Sequence, residues 1–239
     1  MDFNQSSQRL IVALDFHAME PAWKLIEQLN SRDVILKIGS EMFTLFGPDF
    51  VRALVKKNFK VFLDLKFHDI PHTVAKACAS AADLGVWMIN VHASGGIPMM
   101  EAAVTALAPF GQDKPLLIAV TVLTSLTETQ LHDIGISCSS QQQALRLSKT
   151  VFHAGLDGVV CSALEVPSIK SMCGQNFLTV TPGIRLAGDH PKDDQARVAT
   201  VQQAIDLGSD YLVVGRPITQ ANNPDRVVAN ILECLSKKY

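Results

Sequence analysis

Short apolar runs recur along the chain, and they alternate with longer segments that have the apolar spacing of amphipathic helices. The runs predict strands at residues 10–15, 34–39, 60–66, 87–93, 115–123, 158–162, 177–183 and 211–216. The helical pattern is clearest at residues 21–30, 48–58 and 71–85. Near-continuous apolar strands that alternate with helices indicate a parallel sheet covered by helices.

Eight such units in a chain of 239 residues favour a closed (β/α)8 barrel, the TIM-barrel form of the α/β class. Periodicity does not show closure, so an open doubly wound sheet is the alternative. The fingerprint G-x-G-x-x-G is absent after the first predicted strand, which disfavours a dinucleotide-binding version of that sheet. No linker, low-complexity run or charge block divides the chain, so we expect one domain over residues 1–239.

Composition restricts the classes of partner. Hydrophobic residues make up 48% of the chain and charged residues 18%, which is typical of a folded globular protein. The formal net charge is -2, whereas nucleic acids and anionic membranes are bound by clustered basic charge. No apolar run approaches the roughly 18 residues that span a bilayer. We therefore expect neither nucleic acid nor membrane as a partner.

Several absent motifs indicate a cytoplasmic protein without a metal site. The first residues, "MDFNQSSQRLIVALDF", lack the basic and apolar segments of a secretory signal. The five cysteines are scattered and lack C-x-x-C spacing, so we expect reduced thiols. His68 and His72 have i,i+4 spacing, but Pro71 lies between them and no H-E-x-x-H pattern is present.

Charged side chains collect where the predicted strands end. Asp15 ends the first strand, Lys37 lies near the end of the second, and Asp64 and Lys66 end the third, with Asp69 just beyond. TIM-barrel active sites lie at this C-terminal end of the strands. Because residues two apart on a strand share a face, Asp64 and Lys66 point the same way. We expect both in the barrel mouth, close to Lys37.

A structural ion-pair network that plugs the barrel is the alternative explanation of these charges. An apolar plug would have a lower desolvation free energy than a charged one. Four alternating charges therefore favour a role in the electrostatic stabilisation of a reacting substrate. The four residues are Lys37, Asp64, Lys66 and Asp69.

Two motifs indicate that the substrate carries an anionic group. The motifs "TPGIR" (181–185) and "GRP" (215–217) follow the seventh and eighth strands, where barrels of this class frequently bind phosphate. Their glycines let backbone N–H groups approach an anion, and their arginines offer guanidinium forks. The polar segment 186–197 has the length of a mobile lid, and it is equally compatible with a plain surface loop.

The most specific motif is "DLKFHDIPHT", which spans residues 64–73. It is accompanied, in order along the chain, by "LKIGSEMF", "NVHASGG", "VTVLTS", "TPGIR" and "VVGRPIT". On these motifs the chain resembles the orotidine 5′-phosphate decarboxylase family of the bacterial type over nearly its whole length. The resemblance implies loss of CO2 from orotidine 5′-monophosphate to give UMP, with no cofactor and no metal.

The resemblance also implies roles for individual residues. Lys66 would stabilise and then protonate the C6 carbanion, Asp64 would sit near the departing carboxylate, and Lys37 and Asp69 would hold the array. The implied substrate contacts are Asp15 and Lys37 to the ribose, Thr124 to the pyrimidine or its surroundings, and Arg185, Gln195, Gly215 and Arg216 to the phosphate. Pro182 is a further expected substrate contact. The family also implies a homodimer in which Asp69 and Thr73 reach into the partner's site.

Three other functions are open at this point. Sugar-phosphate lyases of the same barrel superfamily share D-x-K-x-x-D but use Mg²⁺ with an acidic ligand at the end of strand 2, where this chain has Lys37. A ribulose-phosphate epimerase would need metal-binding histidines at several strand ends, and His92 alone is insufficient. A silent phosphate-binding or scaffold protein has no need of the complete charge array.

Overall fold

The computed structural model describes residues 8–186 and 197–236. Eight parallel strands in this part of the chain close into a barrel. They are β1 (Leu10–Leu14), β2 (Val34–Gly39), β3 (Val61–Phe67), β4 (Met88–His92), β5 (Leu116–Val120), β6 (Gly158–Val160), β7 (Leu178–Thr181) and, after two short strands, β10 (Tyr211–Val214). β1 pairs with both β2 and β10, so the sheet is closed and the open-sheet alternative is wrong.

Helices connect consecutive strands and cover the barrel. They are α1 (Met19–Ile26), α2 (Ser40–Lys56), α3 (Pro71–Ala82), α4 (Ile97–Leu107), α5 (Glu128–Asp133), α6 (Ser140–His153), α7 (Val166–Cys173), α8 (Val201–Asp206), α9 (Arg216–Thr219) and α10 (Pro224–Ser236). A separate two-stranded sheet follows β7 and consists of β8 (Ile184–Arg185) and β9 (Ala199–Thr200). None of the described helices is long and apolar enough to cross a membrane.

The largest difference from the predicted helices is in α2. The pattern predicted a helix at 48–58, whereas α2 starts at Ser40 and is interrupted at Gly47, which has a φ of 66°. Only glycine adopts this left-handed conformation at low cost, and Pro48 then starts the second helical part. Residues 40–46 therefore form a separate helical piece directly after β2.

The strands are apolar throughout because both of their faces are buried. One set of side chains packs inside the barrel and consists of Ile11, Ala13, Ile35, Phe62, Met88, Ile118, Val180 and Val213. Alternate strand residues, such as Val12 and Leu36, pack outward against the helices. By the same alternation, polar residues further along the strands point into the barrel mouth.

The N-terminal end of the barrel is held by a partly buried ion pair. The Nζ atom of Lys170, on α7, lies 2.6 Å from Oδ2 of Asp210, which directly precedes β10. This ammonium also donates to the carbonyl oxygens of Gln175 and Phe177, each at 2.9 Å. Asp210 Oδ2 accepts in addition from the backbone N–H of Thr179, at 2.7 Å. The pair links α7, β7 and β10 at the end opposite to the strand C-termini.

Candidate active site

A cavity of about 250 Å³ opens at the C-terminal ends of the barrel strands. Most residues that the sequence singled out line it: Asp15, Lys37, Asp64, Lys66, Thr124, Pro182, Arg185, Gly215 and Arg216. Apolar side chains from the strands below, including Phe62 and Val213, form its floor. The strand order therefore brings together residues that are up to about 200 positions apart, as expected for the mouth of a TIM barrel.

The centre of the cavity is a carboxylate between two ammonium groups. Asp64 Oδ1 accepts from Nζ of Lys66 at 2.7 Å, and Asp64 Oδ2 lies 3.2 Å from Nζ of Lys37. Lys37 Nζ is also 3.6 Å from Oδ1 of Asp15. The four side chains form a continuous row of alternating charge, from Asp15 through Lys37 and Asp64 to Lys66.

Burial and charge act in opposite directions on this row. Burial raises the pKa of Asp64, but the positive charges of Lys37 and Lys66 outweigh it and hold that pKa below its ordinary value. Burial likewise lowers the pKa of Lys37, and the negative charges of Asp64 and Asp15 reverse the shift, so that this pKa is raised. Both groups are therefore ionised at neutral pH.

Lys66 has an unusual backbone conformation. Its φ is 52°, in the left-handed region that a residue with a Cβ rarely adopts. The register of β3 against β4 shifts between Leu63 and Phe67, on either side of Lys66. The irregularity redirects the Lys66 side chain at the end of the strand, where its ammonium meets Asp64. Such strain persists where the surrounding structure stabilises it.

Asn90 supplies that stabilisation. This fully buried residue of β4 accepts from the backbone N–H of Lys66 at 2.8 Å and donates its side-chain N–H to Asp64 Oδ1 at 2.7 Å. Asn90 is not among the site residues predicted from the sequence. The strand pattern could have identified it, because Asn90 lies two residues after Met88 and therefore shares the inward face of β4. At this position the other strands carry apolar residues or members of the charged row.

The opposite wall of the cavity is formed after β7 and β10. Gly183 has a φ of 76°, which explains the glycine of the "TPGIR" motif, and Arg185 follows it on β8. Gly215 directly precedes Arg216, and a Cβ built on it would lie 3.7 Å from Oδ2 of Asp15. The side chains of Arg185 and Arg216, and the backbone at Gly183 and Gly215, therefore line the cavity on this side.

A third wall consists of the segment that follows β5. Residues 122–125 line the cavity, and among them Thr124 is 6% exposed. The sequence predicted a strand over 115–123, but β5 ends at Val120. The chain leaves the sheet there, and this places Thr124 over the cavity.

Two predicted residues, Asp69 and Thr73, do not line this cavity. Asp69 and Thr73 are exposed on the loop after β3 and the first turn of α3, and Asp69 Oδ1 accepts from the backbone N–H of Ile70 at 2.6 Å. Among the described residues, the ion pair of Lys66 is with Asp64 and not with Asp69. Gln195 and most of the 186–197 segment lie outside the described residues.

We expect Asp64 to make the stability of the protein dependent on pH at the acid side. Its folded pKa lies below its unfolded value, so the carboxylate stabilises the fold above the unfolded pKa, and this contribution is lost as pH falls through the folded pKa. In Asp64→Asn this contribution is absent. The midpoint temperature of thermal unfolding, measured between about pH 3 and pH 7, should therefore fall less steeply with decreasing pH in Asp64→Asn than in wild-type protein below about pH 4. Asp49→Asn, which removes an exposed carboxylate, is the control, and equal slopes in all three proteins would contradict the expectation.

Comparison with known proteins assigns the chain to a family. A profile of the orotidine 5′-phosphate decarboxylase / HUMPS family matches residues 8–231. Over 227 residues the chain is 61% identical to an orotidine 5′-phosphate decarboxylase of Legionella pneumophila (strain Corby), with 95% of this chain and 99% of that protein covered. It is 53% identical to an orotidine 5′-phosphate decarboxylase of Salmonella newport (strain SL254), with 96% and 93% covered.

Solved structures agree with the sequence comparison. The crystal structure of orotidine 5′-phosphate decarboxylase from Lactobacillus acidophilus superimposes with a TM-score of 0.84 at 38% identity, covering 95% of this chain and 98% of that chain. An uncharacterized conserved protein from Geobacillus kaustophilus matches with a TM-score of 0.83, also at 38% identity, with 95% and 99% covered. The chain therefore belongs to the orotidine 5′-phosphate decarboxylase / HUMPS family.

Proposed function

We propose that this protein decarboxylates orotidine 5′-monophosphate to UMP and CO2, the last step of de novo pyrimidine nucleotide synthesis, without a cofactor. The observation that carries the proposal is the row of four alternating charges at the mouth of the barrel, centred on Asp64. The names of the relatives, at 53% to 61% identity over nearly the whole chain, support the same reaction.

The reaction breaks the bond between C6 of the pyrimidine and its carboxylate carbon. CO2 leaves, and the electron pair of the broken bond stays on C6. We assign to the Lys66 ammonium the stabilisation of this developing carbanion and the transfer of a proton to C6. Lys66 then regains a proton from solvent, so the enzyme returns to its starting state. Lys66 is suited to this role because it lines the cavity and its side chain is 35% exposed.

Asp64 and Lys37 prepare Lys66 for the reaction. Asp64 holds the Lys66 ammonium by a hydrogen bond of 2.7 Å, and it would lie near the carboxylate that departs. Lys37 lies on the other side of Asp64 and keeps the carboxylate ionised. Because the charges are in place before the substrate binds, little reorganisation is needed as charge develops in the transition state.

The remaining walls provide binding energy. We assign Asp15 and Lys37 to the ribose and Thr124 to the pyrimidine. Pro182, Arg185, Gly215, Arg216 and Gln195 are assigned to the phosphate, with Gln195 resting on the family resemblance alone. The phosphate does not react, but binding energy from a remote group can be used to orient the reacting centre. Each tenfold gain in rate requires about 1.4 kcal/mol.

The proposed site is completed by a second copy of the chain. Asp69 and Thr73 are exposed in the single chain and lie beside Ile70, which is 66% exposed. The family resemblance implies that residues at these two positions reach the site of a partner subunit, where Ile70 beside them would also be covered. We therefore propose a homodimer in which Asp69 and Thr73 of one protomer reach the cavity of its partner.

Lys37 argues against the Mg²⁺-dependent reactions of related barrels. Its ammonium lies 3.2 Å from Asp64 and 3.6 Å from Asp15, so it occupies the space between the two carboxylates that a divalent cation would need. A cation there would be repelled by Lys37. The cofactor-free reaction suits this arrangement.

We also propose that residues 1–239 act as a single domain in the cytoplasm. The barrel and its helices share one extensive core that reaches from Leu10 to Leu235. All five cysteines are free, which suits a reducing compartment.

Turnover of orotidine 5′-monophosphate in EDTA is the direct test of the proposed reaction. We expect purified wild-type protein to convert it, followed by the change in ultraviolet absorbance, at a rate that chelation leaves unchanged. Lys66→Ala removes the proton donor and should lower kcat by at least about 10²–10⁴-fold. Lys60→Ala removes a lysine that directly precedes β3, at the other end of the barrel, and should keep wild-type activity.

Other outcomes of that assay would contradict the proposal. Wild-type protein that is inactive in EDTA but cleaves a sugar phosphate once Mg²⁺ is restored would be a metal-dependent lyase. Wild-type protein that binds UMP without any turnover would be a binding protein on this fold.

Asn90 is expected to affect the rate more than binding. Asn90→Ala removes the hydrogen bonds that hold the Lys66 backbone and Asp64, and a displacement of about 1 Å at a reacting group can cost about 10²-fold in rate. We expect kcat to fall by about that factor, with a smaller change in the Kd for UMP. Ser148→Ala, which removes a fully buried hydroxyl on α6, is the control for general loss of packing. A change in UMP binding as large as the change in kcat would refute the assignment.

Subunit mixing tests the shared site. Lys66→Ala and Asp69→Ala should each be nearly inactive alone. In a dimer with a shared site, random exchange gives about half mixed dimers, and each contains one intact site, so about one quarter of wild-type activity should return. If activity stays at the level of the separate variants although mixed dimers are present by native mass spectrometry, Asp69 does not act across the interface.

A further inference from the structure

Arg197 connects several segments around the cavity. It is the last residue of the 186–197 segment and lies two residues before β9. Its guanidinium donates from Nη2 to the carbonyl oxygens of Val122 at 3.1 Å and Leu123 at 3.3 Å. Its backbone N–H donates to the carbonyl oxygen of Thr124, also at 3.3 Å. Arg197 therefore contacts three consecutive residues of the wall that follows β5.

The partner of Arg197 on its other side is Glu165. Nη1 of Arg197 donates to Oε1 of Glu165, which is 2% exposed and lies in the segment between β6 and α7. The second oxygen of Glu165 accepts from the backbone N–H of Ser162 at 2.9 Å. Burial raises the pKa of Glu165, whereas the Arg197 charge acts in the opposite direction. A buried carboxylate of this kind requires a cation to stay ionised.

Arg197 is also joined to the wall that carries Arg185. β9 pairs with β8 through the registers Ile184 with Ala199 and Arg185 with Thr200. The backbone N–H of Ala199 donates to the carbonyl oxygen of Gly183 at 3.2 Å. A displacement of Arg197 would thus move the short β8–β9 sheet relative to the segment after β5.

These two segments face the cavity from different sides. Residues 122–125 include Thr124, which we assign to the pyrimidine, and β8 contributes Arg185, which we assign to the phosphate. A nucleotide gains the full benefit of both contacts only if the two walls are held at the correct separation. The covalent link between base and phosphate in the substrate sets that separation.

We propose that Arg197, held by Glu165, is a positioning residue that fixes the pyrimidine-binding wall relative to the phosphate-binding wall. The inference rests on the proposed function, because that function assigns Thr124 and Arg185 their ligands. Arginine is suited to the role, since its planar fork bonds a carboxylate and carbonyl oxygens at the same time, which a lysine ammonium does in a less defined geometry.

A purely structural ion pair is the competing explanation, and the chain contains a matched example. Lys170, which is buried, pairs with the partly exposed Asp210 at the opposite end of the barrel, away from the cavity. Loss of either pair leaves a carboxylate without its cation and should lower thermal stability. Only the loss of Arg197 should change how UMP binds.

The experiment compares UMP, uridine and inorganic phosphate as ligands of wild-type protein, Arg197→Met and Lys170→Met by isothermal titration calorimetry. We expect Arg197→Met to weaken UMP binding by about tenfold or more, as is typical of coupled contacts. Uridine and phosphate each use one wall, so their binding should change by less than about threefold. Lys170→Met should lower the thermal unfolding temperature and leave all three affinities at wild-type values.

Two further variants keep the test valid if Arg197→Met folds poorly. Arg197→Lys restores the charge beside Glu165 and should recover thermal stability, while UMP binding stays weak because the fork is lost. Glu165→Gln keeps the acceptor for the Ser162 N–H but removes the charge that holds Arg197. Because both residues act through one contact, the double variant Glu165→Gln, Arg197→Met should bind UMP no more weakly than Arg197→Met alone.

Specific results would overturn the inference. If UMP binding is unchanged in Arg197→Met and Arg197→Lys while stability falls, the pair is structural only. If uridine binding falls as much as UMP binding, Arg197 acts on one wall and not on the relation between two. Wild-type protein that neither converts orotidine 5′-monophosphate nor binds UMP overturns the proposed function and this inference together. Normal wild-type turnover with either of the first two results overturns the inference alone.

Discussion

The contact between Asp64 and its two lysines is the interaction on which the cavity depends. Asp64 is only 7% exposed, and it is ionised because Lys37 and Lys66 lie on either side of it. Removal of Asp64 would leave the Lys37 ammonium, whose side chain is 11% exposed, without its nearest counter-charge. The row also accounts for the strained backbone of Lys66, because the left-handed conformation directs the ammonium to Asp64. Asn90 stabilises this conformation by accepting from the backbone N–H of Lys66.

The two ends of the barrel show how similar chemistry leads to different roles. At the N-terminal end, Lys170 binds Asp210 and two carbonyl oxygens and is 7% exposed, so its ammonium is enclosed by protein. At the C-terminal end, Lys66 binds Asp64 but is 35% exposed and faces the cavity. An ammonium that is held on one side and open on the other suits proton transfer to a ligand. The difference lies in the surroundings of each lysine.

The cavity walls come from segments that are distant in sequence, and their relative position is a property of the whole fold. The segment after β5, the β8–β9 sheet and the residues around Gly215 are each short and irregular. Buried contacts hold them, as those of Arg197 and Glu165 show. A substrate contacts several such walls at once only if their spacing is correct, and these simultaneous contacts orient it for reaction.

The sequence by itself determined the alternation of strands and helices, the strand ends that carry Asp15, Lys37, Asp64 and Lys66, and the family motif at residues 64–73. These features depend on neighbouring residues, whose spacing sets both the burial pattern and the motif. Closure of the barrel, the role of Asn90 and the contacts of Arg197 were decided by the tertiary structure. Asn90 meets Lys66 across 24 positions, and Arg197 meets Val122 across 75. Such pairs form because closure of the barrel brings distant segments together, and the spacing of neighbouring residues does not record which distant segments will meet.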